Sequence, residues 1–356
     1  MKARKGMFCV LAAGLVLFVQ GCAPAQAARG WTSKCSLAVS RDQFQALAVN
    51  GKIYALGGLG ADSKSLSSVE CYDPTENRWT VKKPMGEART EFESQTVNGK
   101  IYAMGGWSSQ KQTDQDKIGG LSSMESYDPI MDLWTPRAPM TVVRAAFLSE
   151  NVNGIIYAMG GAESANTMEA YYPETDTWSP KAQIPADISA YDCQTAVLDG
   201  KIYAIGQTVQ EYDPKTDVWT VRAPMLTARY KFQVLTVGGK LYALGGSDGD
   251  GHLLSSMEEY DPETGKWTAK ASMSVPRMEF QTEAVGKKIY AVGGSDEKGV
   301  LSTVEKYDPD TDKWTEEASM ITPRHWFQTK TAGGKIYAMG GWNVGEALSS
   351  MEEYIP

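Results

Sequence analysis

The chain has 356 residues, of which 42% are hydrophobic and 22% are charged, and its formal net charge at pH 7 is −8. This acidic balance argues against binding of the folded domain to nucleic acid or to an anionic membrane, because both need a basic protein surface. Its two histidines, His252 and His325, argue against a metal site built on several histidines. We expect neither a metal nor another cofactor.

The N-terminal residues predict an export signal. Three basic residues precede an apolar run from Met7 to Val19, which is too short for a membrane span but typical of a signal peptide. Two cleavage sites compete: one before Cys22, in a sequence that resembles a bacterial lipobox, and one after Ala27. We expect residues 1–21 to be the signal peptide, 22–30 a short linker and 31–356 the folded domain. The mature protein would then lie in the cell envelope, either lipid-anchored through Cys22 or soluble.

A hydrophobic strand that ends in two glycines recurs along the rest of the chain, followed by a Tyr-Asp-Pro turn and a Trp-containing strand. The copies are spaced 39 to 55 residues apart. The glycine pairs are Gly57-Gly58, Gly105-Gly106, Gly160-Gly161, Gly245-Gly246, Gly293-Gly294 and Gly340-Gly341, with a degraded copy at Gly206-Gln207. Each repeat holds four short strand patterns, and one small sheet cannot bury both faces without neighbours. This pattern predicts a β-propeller.

The two ends of the chain complement each other. The last repeat stops at Tyr354, before its Trp strand, and the missing piece occurs near the N-terminus as Trp31-Thr32. A shared blade would join the ends of the ring and leave no open sheet edge. The sequence therefore predicts an all-β, seven-bladed propeller with four-stranded blades, in which the N-terminal strand closes the last blade.

The Gly-Gly, Tyr-Asp-Pro and Trp register resembles the kelch repeat across essentially the whole of the predicted mature chain. The resemblance implies the propeller fold. Kelch domains include peptide-binding adaptors, bacterial surface proteins and a few enzymes, so it leaves the function open. A disulfide between Cys35 and Cys71, which fall in neighbouring repeats, also stays open.

One face of the propeller should carry the variable loops, and variable loops on a rigid scaffold are where ligands usually bind. The longest such loop is Trp107–Gly120. The same face should carry six arginines, each sixteen residues before the first glycine of its pair, whereas the fourth repeat has Ala190 there. These are Arg41, Arg89, Arg144, Arg229, Arg277 and Arg324. The kelch resemblance implies a pocket for an acidic peptide, and the alternative is that the arginines bond backbone carbonyls between blades.

Three tryptophans break the repeat and mark one sector of that face. Trp107 and Trp342 directly follow glycine pairs, and Trp326 lies two residues beyond Arg324. They fall in the second and last blades, which flank the first. Aromatic faces beside arginine suit sugars, carboxylates and peptide side chains. The alternative is that each tryptophan only caps its neighbouring loop.

These patterns favour a monomeric binding module whose loop-rich face takes a protein, a peptide or a glycan. One enzyme alternative remains, since exported bacterial kelch proteins include a sialic acid mutarotase. Its acid and base could be drawn from His325, Glu91 and Glu279, with Arg324 or Arg89 for the sugar carboxylate. A purely structural envelope protein is the third alternative.

Overall fold

The computed structural model describes residues 30–111, 119–162, 164–185 and 193–356. Within these ranges the chain forms seven four-stranded antiparallel sheets, which confirms the predicted all-β propeller. None of the described residues belongs to a helix long and apolar enough to cross a membrane. The predicted signal peptide, Cys22, Ala190 and part of the Trp107–Gly120 loop lie outside the described residues, so the predictions made for them stay predictions.

The blades follow one another along the chain. Blades 1 to 3 comprise Gln45–Val49, Lys52–Leu56, Val69–Asp73 and Arg78–Lys82; Glu93–Val97, Lys100–Met104, Met124–Asp128 and Leu133–Arg137; and Leu148–Val152, Ile155–Met159, Met168–Tyr172 and Thr177–Pro180. Blades 4 and 5 comprise Gln194–Leu198, Lys201–Ile205, Val209–Asp213 and Val218–Arg222; and Gln233–Val237, Lys240–Leu244, Met257–Asp261 and Lys266–Lys270. Blade 6 comprises Gln281–Val285, Lys288–Val292, Val304–Asp308 and Lys313–Glu317. Blade 7 comprises Gln328–Ala332, Lys335–Met339, Met351–Tyr354 and the N-terminal Trp31–Lys34. Two-residue strands form small hairpins in the blade 6 and blade 7 loops: Ser295–Asp296 with Gly299–Val300, and Trp342–Asn343 with Glu346–Ala347.

The N-terminal strand closes the ring as predicted. Trp31 lies opposite Tyr354 in an antiparallel pair, and their rings are 5.2 Å apart. The Trp31 indole Nε1 also donates to the carbonyl of Ala318 at 2.9 Å, in the outer segment of blade 6. Because the first and last described strands pair in one sheet, the last strand of the chain is not left as an exposed edge and the ring of described blades is closed.

The glycine pairs are needed because the backbone and a neighbouring aromatic ring leave no room. Gly57 and Gly58 have φ of 57° and 90°, in the left-handed region that side chains disfavour. A Cβ on Gly57 would lie 2.8 Å from the Phe92 ring of the next blade, and one on Gly58 would lie 2.5 Å from the Phe44 Cβ. The pair therefore lets adjacent blades pack at close range.

The repeated tyrosines and tryptophans also join neighbouring blades. In blade 2, Tyr127 packs on Trp134 with 5.1 Å between ring centroids, and its hydroxyl donates to Asp132 at 2.7 Å. Asp132 accepts the backbone N–H of Lys83, and Trp134 donates to the carbonyl of the same residue, which follows the outer strand of blade 1. The aromatic residues are thus structural, as their fixed register predicts.

The thiol of Cys71 is buried and hydrogen-bonded to the Tyr54 hydroxyl, and Cys71 is not part of a disulfide. The bridge to Cys35 that the sequence left open is therefore not formed. Burial raises the pKa of the Cys71 thiol.

The seam between blades 3 and 4 has a small side chain where the other seams have a phenyl ring. Cys193 stands where the other six repeats have phenylalanine, and it belongs to a core cluster with Met159 and Ile184. A small apolar cavity lies in the same region, lined by residues that include Met159, Gly160 and Ile184. In other blades the phenylalanine ring lies against the first glycine of the preceding pair, as Phe92 lies against Gly57. The cavity therefore marks the space of the missing phenyl ring.

We expect Cys193→Phe to stabilise the propeller by about 1 kcal/mol, a typical gain for filling a cavity. Chemical denaturation of the full chain measures this change. Cys71→Phe is the matched control, since Cys71 is buried among close-packed strands and a larger side chain there should destabilise the fold. Equal losses of stability for both variants would contradict the assignment of the cavity.

Candidate binding face

The six repeated arginines are buried inside their own blades. Each is at most 1% exposed, although sequence reasoning placed them on the loop-rich face as candidate ligand contacts. In blade 6, Arg277 donates through Nη1 to the carbonyls of Gly293 and Thr303 at 2.9 and 3.0 Å, and through Nη2 to Glu305 at 2.9 Å. Its guanidinium thus bonds backbone carbonyls, as the structural alternative held, although within one blade rather than between two.

Each arginine forms an ion pair with a buried glutamate on the third strand of its blade. The Nη2 to carboxylate distances are 2.8–3.2 Å across the six pairs. The glutamates are Glu70, Glu125, Glu169, Glu258, Glu305 and Glu352. Burial lowers the pKa of the arginines, and the nearby carboxylate acts in the opposite direction.

The glutamates also hold the passages between blades. Glu305 accepts the backbone N–H groups of Ser274 and Val275 at 2.6 and 3.2 Å, and these residues lead from the outer strand of blade 5 to the inner strand of blade 6. Glu70 accepts from Ala38 and Val39 in the same way. One carboxylate therefore links an arginine, a strand and an interblade segment.

The fourth repeat lacks both partners of the pair. Where the other repeats have arginine and glutamate, it has Ala190 and Gln210. This joint loss is visible in the sequence, but sequence reasoning did not detect it because only the arginines were compared between repeats. It supports an architectural role for the pair, since a ligand-binding arginine would not require its own buried glutamate.

The residues two positions after the arginines form the accessible rim of the face. They share a left-handed backbone with φ of 46–55°, an uncommon conformation for residues other than glycine. In the described residues these rim positions are Gln43, Glu91, Ala146, Lys231, Glu279 and Trp326. Sequence reasoning singled out Glu91, Glu279 and Trp326 but missed Gln43 and Lys231, although the same spacing from the arginine could have found them.

The predicted tryptophans lie on blades 2 and 7, on either side of blade 1. Trp107 and Trp342 are half-buried, and each forms a bridge to the residue after its blade's arginine: Thr90 and His325, respectively. Leu59 of blade 1 is at the equivalent position between them and bridges to Asp42. Trp326 is 43% exposed on the rim. These four residues, Trp342, Leu59, Trp107 and Trp326, are called the aromatic sector below.

Two of the three catalytic candidates are in contact. His325 Nδ1 lies 3.1 Å from Glu279, which also pairs with Lys231 at 2.7 Å, and the Trp326 ring lies over His325 at 4.4 Å. Burial tends to raise the pKa of Glu279, but Lys231 and His325 hold it below its ordinary value. Glu91 is exposed at its own rim position on blade 2.

The arginines that a mutarotase-type active site would need to bind the sugar carboxylate are not available beside His325 and Glu279. Arg324 and Arg89 are buried and bound to Glu352 and Glu125. The geometry therefore gives the mutarotase alternative no support.

One acidic loop could offer metal ligands. Asp248, Asp250 and His252 can bring one ligand atom each to within 4.8 Å of one another. However, Asp248 already accepts the backbone N–H groups of Asp250 and His252, both at 2.9 Å, and all three residues lie on a surface loop of blade 5. These hydrogen bonds explain the arrangement as a loop turn.

Comparison with known protein families identifies the repeat. The Kelch motif matches residues 40–86, 88–141, 144–183, 228–274, 276–321 and 331–356, which is most of the chain. The chain belongs to the kelch family. The unmatched stretch between 183 and 228 contains all four strands of blade 4, the repeat that has lost the arginine, the glutamate and the second glycine.

The relatives compared below are animal proteins. Kelch-like protein 26 of Danio rerio is 32% identical over 217 residues, or 58% of this chain and 27% of its own length. Kelch-like protein 35 of Mus musculus is 28% identical over 147 residues, or 40% and 26%. Influenza virus NS1A-binding protein homolog B of Danio rerio is 45% identical over 69 residues, or 17% and 11%. The chain thus matches about a quarter or less of the length of these relatives. The bacterial and exported character predicted for it stays a prediction.

The kelch propeller encloses a central channel lined by the first strand of every blade. Each first strand contacts the first strands of both neighbouring blades, so these seven described strands form a closed inner wall. At the first position of this strand five blades have glutamine, whereas blade 2 has Glu93. Two positions further along, blade 3 has Glu150, blade 6 has Glu283 and blade 7 has Lys330.

The two glutamates are in an unusual electrostatic environment. Burial raises the pKa of Glu93 to about 8 and that of Glu150 to about 7. Glu93 accepts a hydrogen bond from the Ser149 hydroxyl of blade 3 at 3.1 Å. Lys330, on the inner strand of blade 7, lowers the pKa of Glu93 and so opposes the rise. Sequence reasoning did not detect these residues, because it compared the arginines and loops but not the inner strands.

We expect Glu93→Gln to stabilise the propeller increasingly as the pH rises. The carboxyl pKa is about 8 in the fold against an ordinary value of 4.5, so ionisation costs stability above pH 4.5 and costs most above pH 8. A tenfold difference in acid dissociation constant between folded and unfolded chain corresponds to about 1.4 kcal/mol. Melting temperatures of variant and parent should agree near pH 4 and diverge by pH 8.5, with the variant higher. The exposed Glu316→Gln is the control, and a constant difference across this pH range would contradict the expectation.

Proposed function

We propose that the protein is an interaction module that binds a segment of another protein on its loop-rich face, across the aromatic sector. Kelch propellers are commonly protein-interaction modules, and one relative is named for binding the influenza virus NS1A protein. The observation that carries the proposal is the placement of Trp342, Leu59 and Trp107 at equivalent positions of three consecutive blades.

The chemistry of the sector suits a polypeptide. Trp326 exposes 43% of its surface on the rim and Val344 exposes 89% at the tip of the blade 7 hairpin, which adds accessible apolar area beside the half-buried tryptophans. Large aromatic side chains dominate the binding energy of protein interfaces. The buried arginines are internal supports in this proposal, and the ligand contacts come from the rim and the sector.

A glycan is the less favoured ligand. Tryptophan faces bind sugars as well, but sugar sites also use convergent polar groups, and the arginines that could have served are occupied by glutamates. A purely structural envelope role is the remaining alternative, and no contact described above favours it.

The test is selection of dodecapeptides from a random phage-displayed library on the immobilised full chain. Selected peptides are then measured as synthetic peptides by calorimetry against the parent and against Trp107→Ala, Trp342→Ala and Trp326→Ala. We expect at least one tryptophan variant to lose about 10-fold or more in affinity, as truncated interface aromatics do.

Ile130→Ala is the control, because Ile130 is 91% exposed in the turn at the opposite end of blade 2. Peptides that bind all three tryptophan variants as tightly as the parent would contradict the proposed site. Failure to select any peptide, together with binding on a glycan array, would favour the glycan alternative.

A further inference from the structure

The channel carboxyl groups of Glu93 and Glu150, which are partly exposed, differ from the buried glutamates of the protein. Among the described residues, eight glutamates are buried, and each has a Lys or Arg nitrogen within 4 Å. Glu93 and Glu150 have no such partner in the described part of the chain, where their hydrogen-bond partners are the Ser149 and Thr195 side chains. Two channel carboxyls of adjacent blades therefore lack the close cation that each buried glutamate has.

Their position connects them to the proposed binding face. Glu93 is two residues beyond the rim residue Glu91 and at the start of its inner strand, so the exposed and enclosed carboxyls follow each other into the channel on blade 2. Glu150 lies one blade further round and two positions deeper along its strand. Trp107, on the same blade as Glu93, bridges to the residue just before Glu91. The carboxyls thus lie beneath one end of the aromatic sector.

The rest of the rim is arranged differently. Around blades 5 to 7, the rim residue Glu279 is already paired with Lys231 and His325, and the channel residue Glu283 accepts a hydrogen bond from Thr331, next to Lys330 on the neighbouring blade. On blades 2 and 3, Glu91, Glu93 and Glu150 have no Lys, Arg or His nitrogen within 4 Å among the described residues. Among the described rim positions, the carboxyl group without such a partner is therefore that of Glu91, two residues before the channel residue Glu93, and the whole chain is acidic, with a net charge of −8.

Resting on the proposed function, we propose that the bound segment inserts a lysine or arginine side chain into the mouth of the channel, with Glu93 and Glu150 as its counter-ions. The long aliphatic stem of either side chain would pass the half-buried Trp107, and its charged end would reach the enclosed carboxyls. The cation would give Glu93 and Glu150 the pairing that the eight buried glutamates have within the protein. A carboxylate held by a cation also prefers its ionised form, so binding at pH 7 releases protons.

The experiment uses the dodecapeptides selected on the full chain. We expect the selected sequences to share a lysine or arginine. Replacing that residue by norleucine or citrulline should weaken binding to the parent at least 10-fold, and Glu93→Gln/Glu150→Gln should weaken the unmodified peptide by a similar factor. The two losses should not add, because they remove the same ion pair. Calorimetry in buffers of different ionisation enthalpy should show proton release with the parent and not with the double variant.

Glu316→Gln serves as the control for loss of one carboxyl group on an exposed outer strand, and thermal melts verify that the double variant is folded. Selected peptides that lack a basic residue, or that bind the double variant as tightly as the parent, would overturn this inference. If those peptides still lose affinity with the tryptophan variants, the proposed function stands without it. Peptides whose affinity is unchanged by the tryptophan variants, by the double glutamate variant and by replacement of their basic residue would overturn both this inference and the proposed function.

Discussion

The structure depends on a buried ion pair that is repeated in six of its seven blades. Taking an arginine and a glutamate out of water is costly, and their attraction offsets this cost only when further hydrogen bonds satisfy the remaining atoms. Here the guanidinium also donates to two carbonyls of its blade, although the Nε of Arg277 is buried without a hydrogen-bond partner, and the carboxylate also accepts N–H groups from the segment arriving from the previous blade. Each pair therefore fixes where a new blade begins relative to the one before it. The fold uses arginine because its planar fork can reach carbonyls and carboxylate at once.

Because of this constraint, structural positions and positions available for binding alternate within four residues of sequence. The arginine is buried, the phenylalanine three positions later packs against the glycine pair of the preceding blade, and the residue between them, two after the arginine, faces outward on the rim. Because the buried positions fix the backbone, the rim residue can vary freely, and it does, from Ala146 to Trp326. Variation at these positions, at the residues after the glycine pairs and along the inner strands gives one side of the propeller an aromatic and acidic character.

The fold could be predicted from the sequence nearly completely, because glycine pairs, Asp-Pro turns and fixed aromatic spacings are local patterns that repeat. Closure by Trp31 followed from the same spacing. The direction of the arginine side chains could not be predicted, since both roles need arginine at that place. What decides that the arginine is structural is its partner glutamate, 25 to 36 residues further along the chain. The fourth repeat has lost both residues, but this becomes visible only when two distant positions are compared together. The channel glutamates were missed for a related reason: their environment depends on three different blades, and a single repeat does not reveal it.

The most direct test of the central interaction is a double-mutant cycle on blade 6, measured as the free energy of unfolding in denaturant for Arg277→Ala, Glu305→Gln and the two changes combined. The combined variant reproduces the residues that the fourth repeat carries, Ala190 and Gln210. Arg277→Ala should cost about 3–5 kcal/mol, because it leaves the Glu305 carboxylate buried without its cation. The combined variant should be more stable than Arg277→Ala alone. Additive losses, or an Arg277→Ala protein as stable as the parent, would contradict the account.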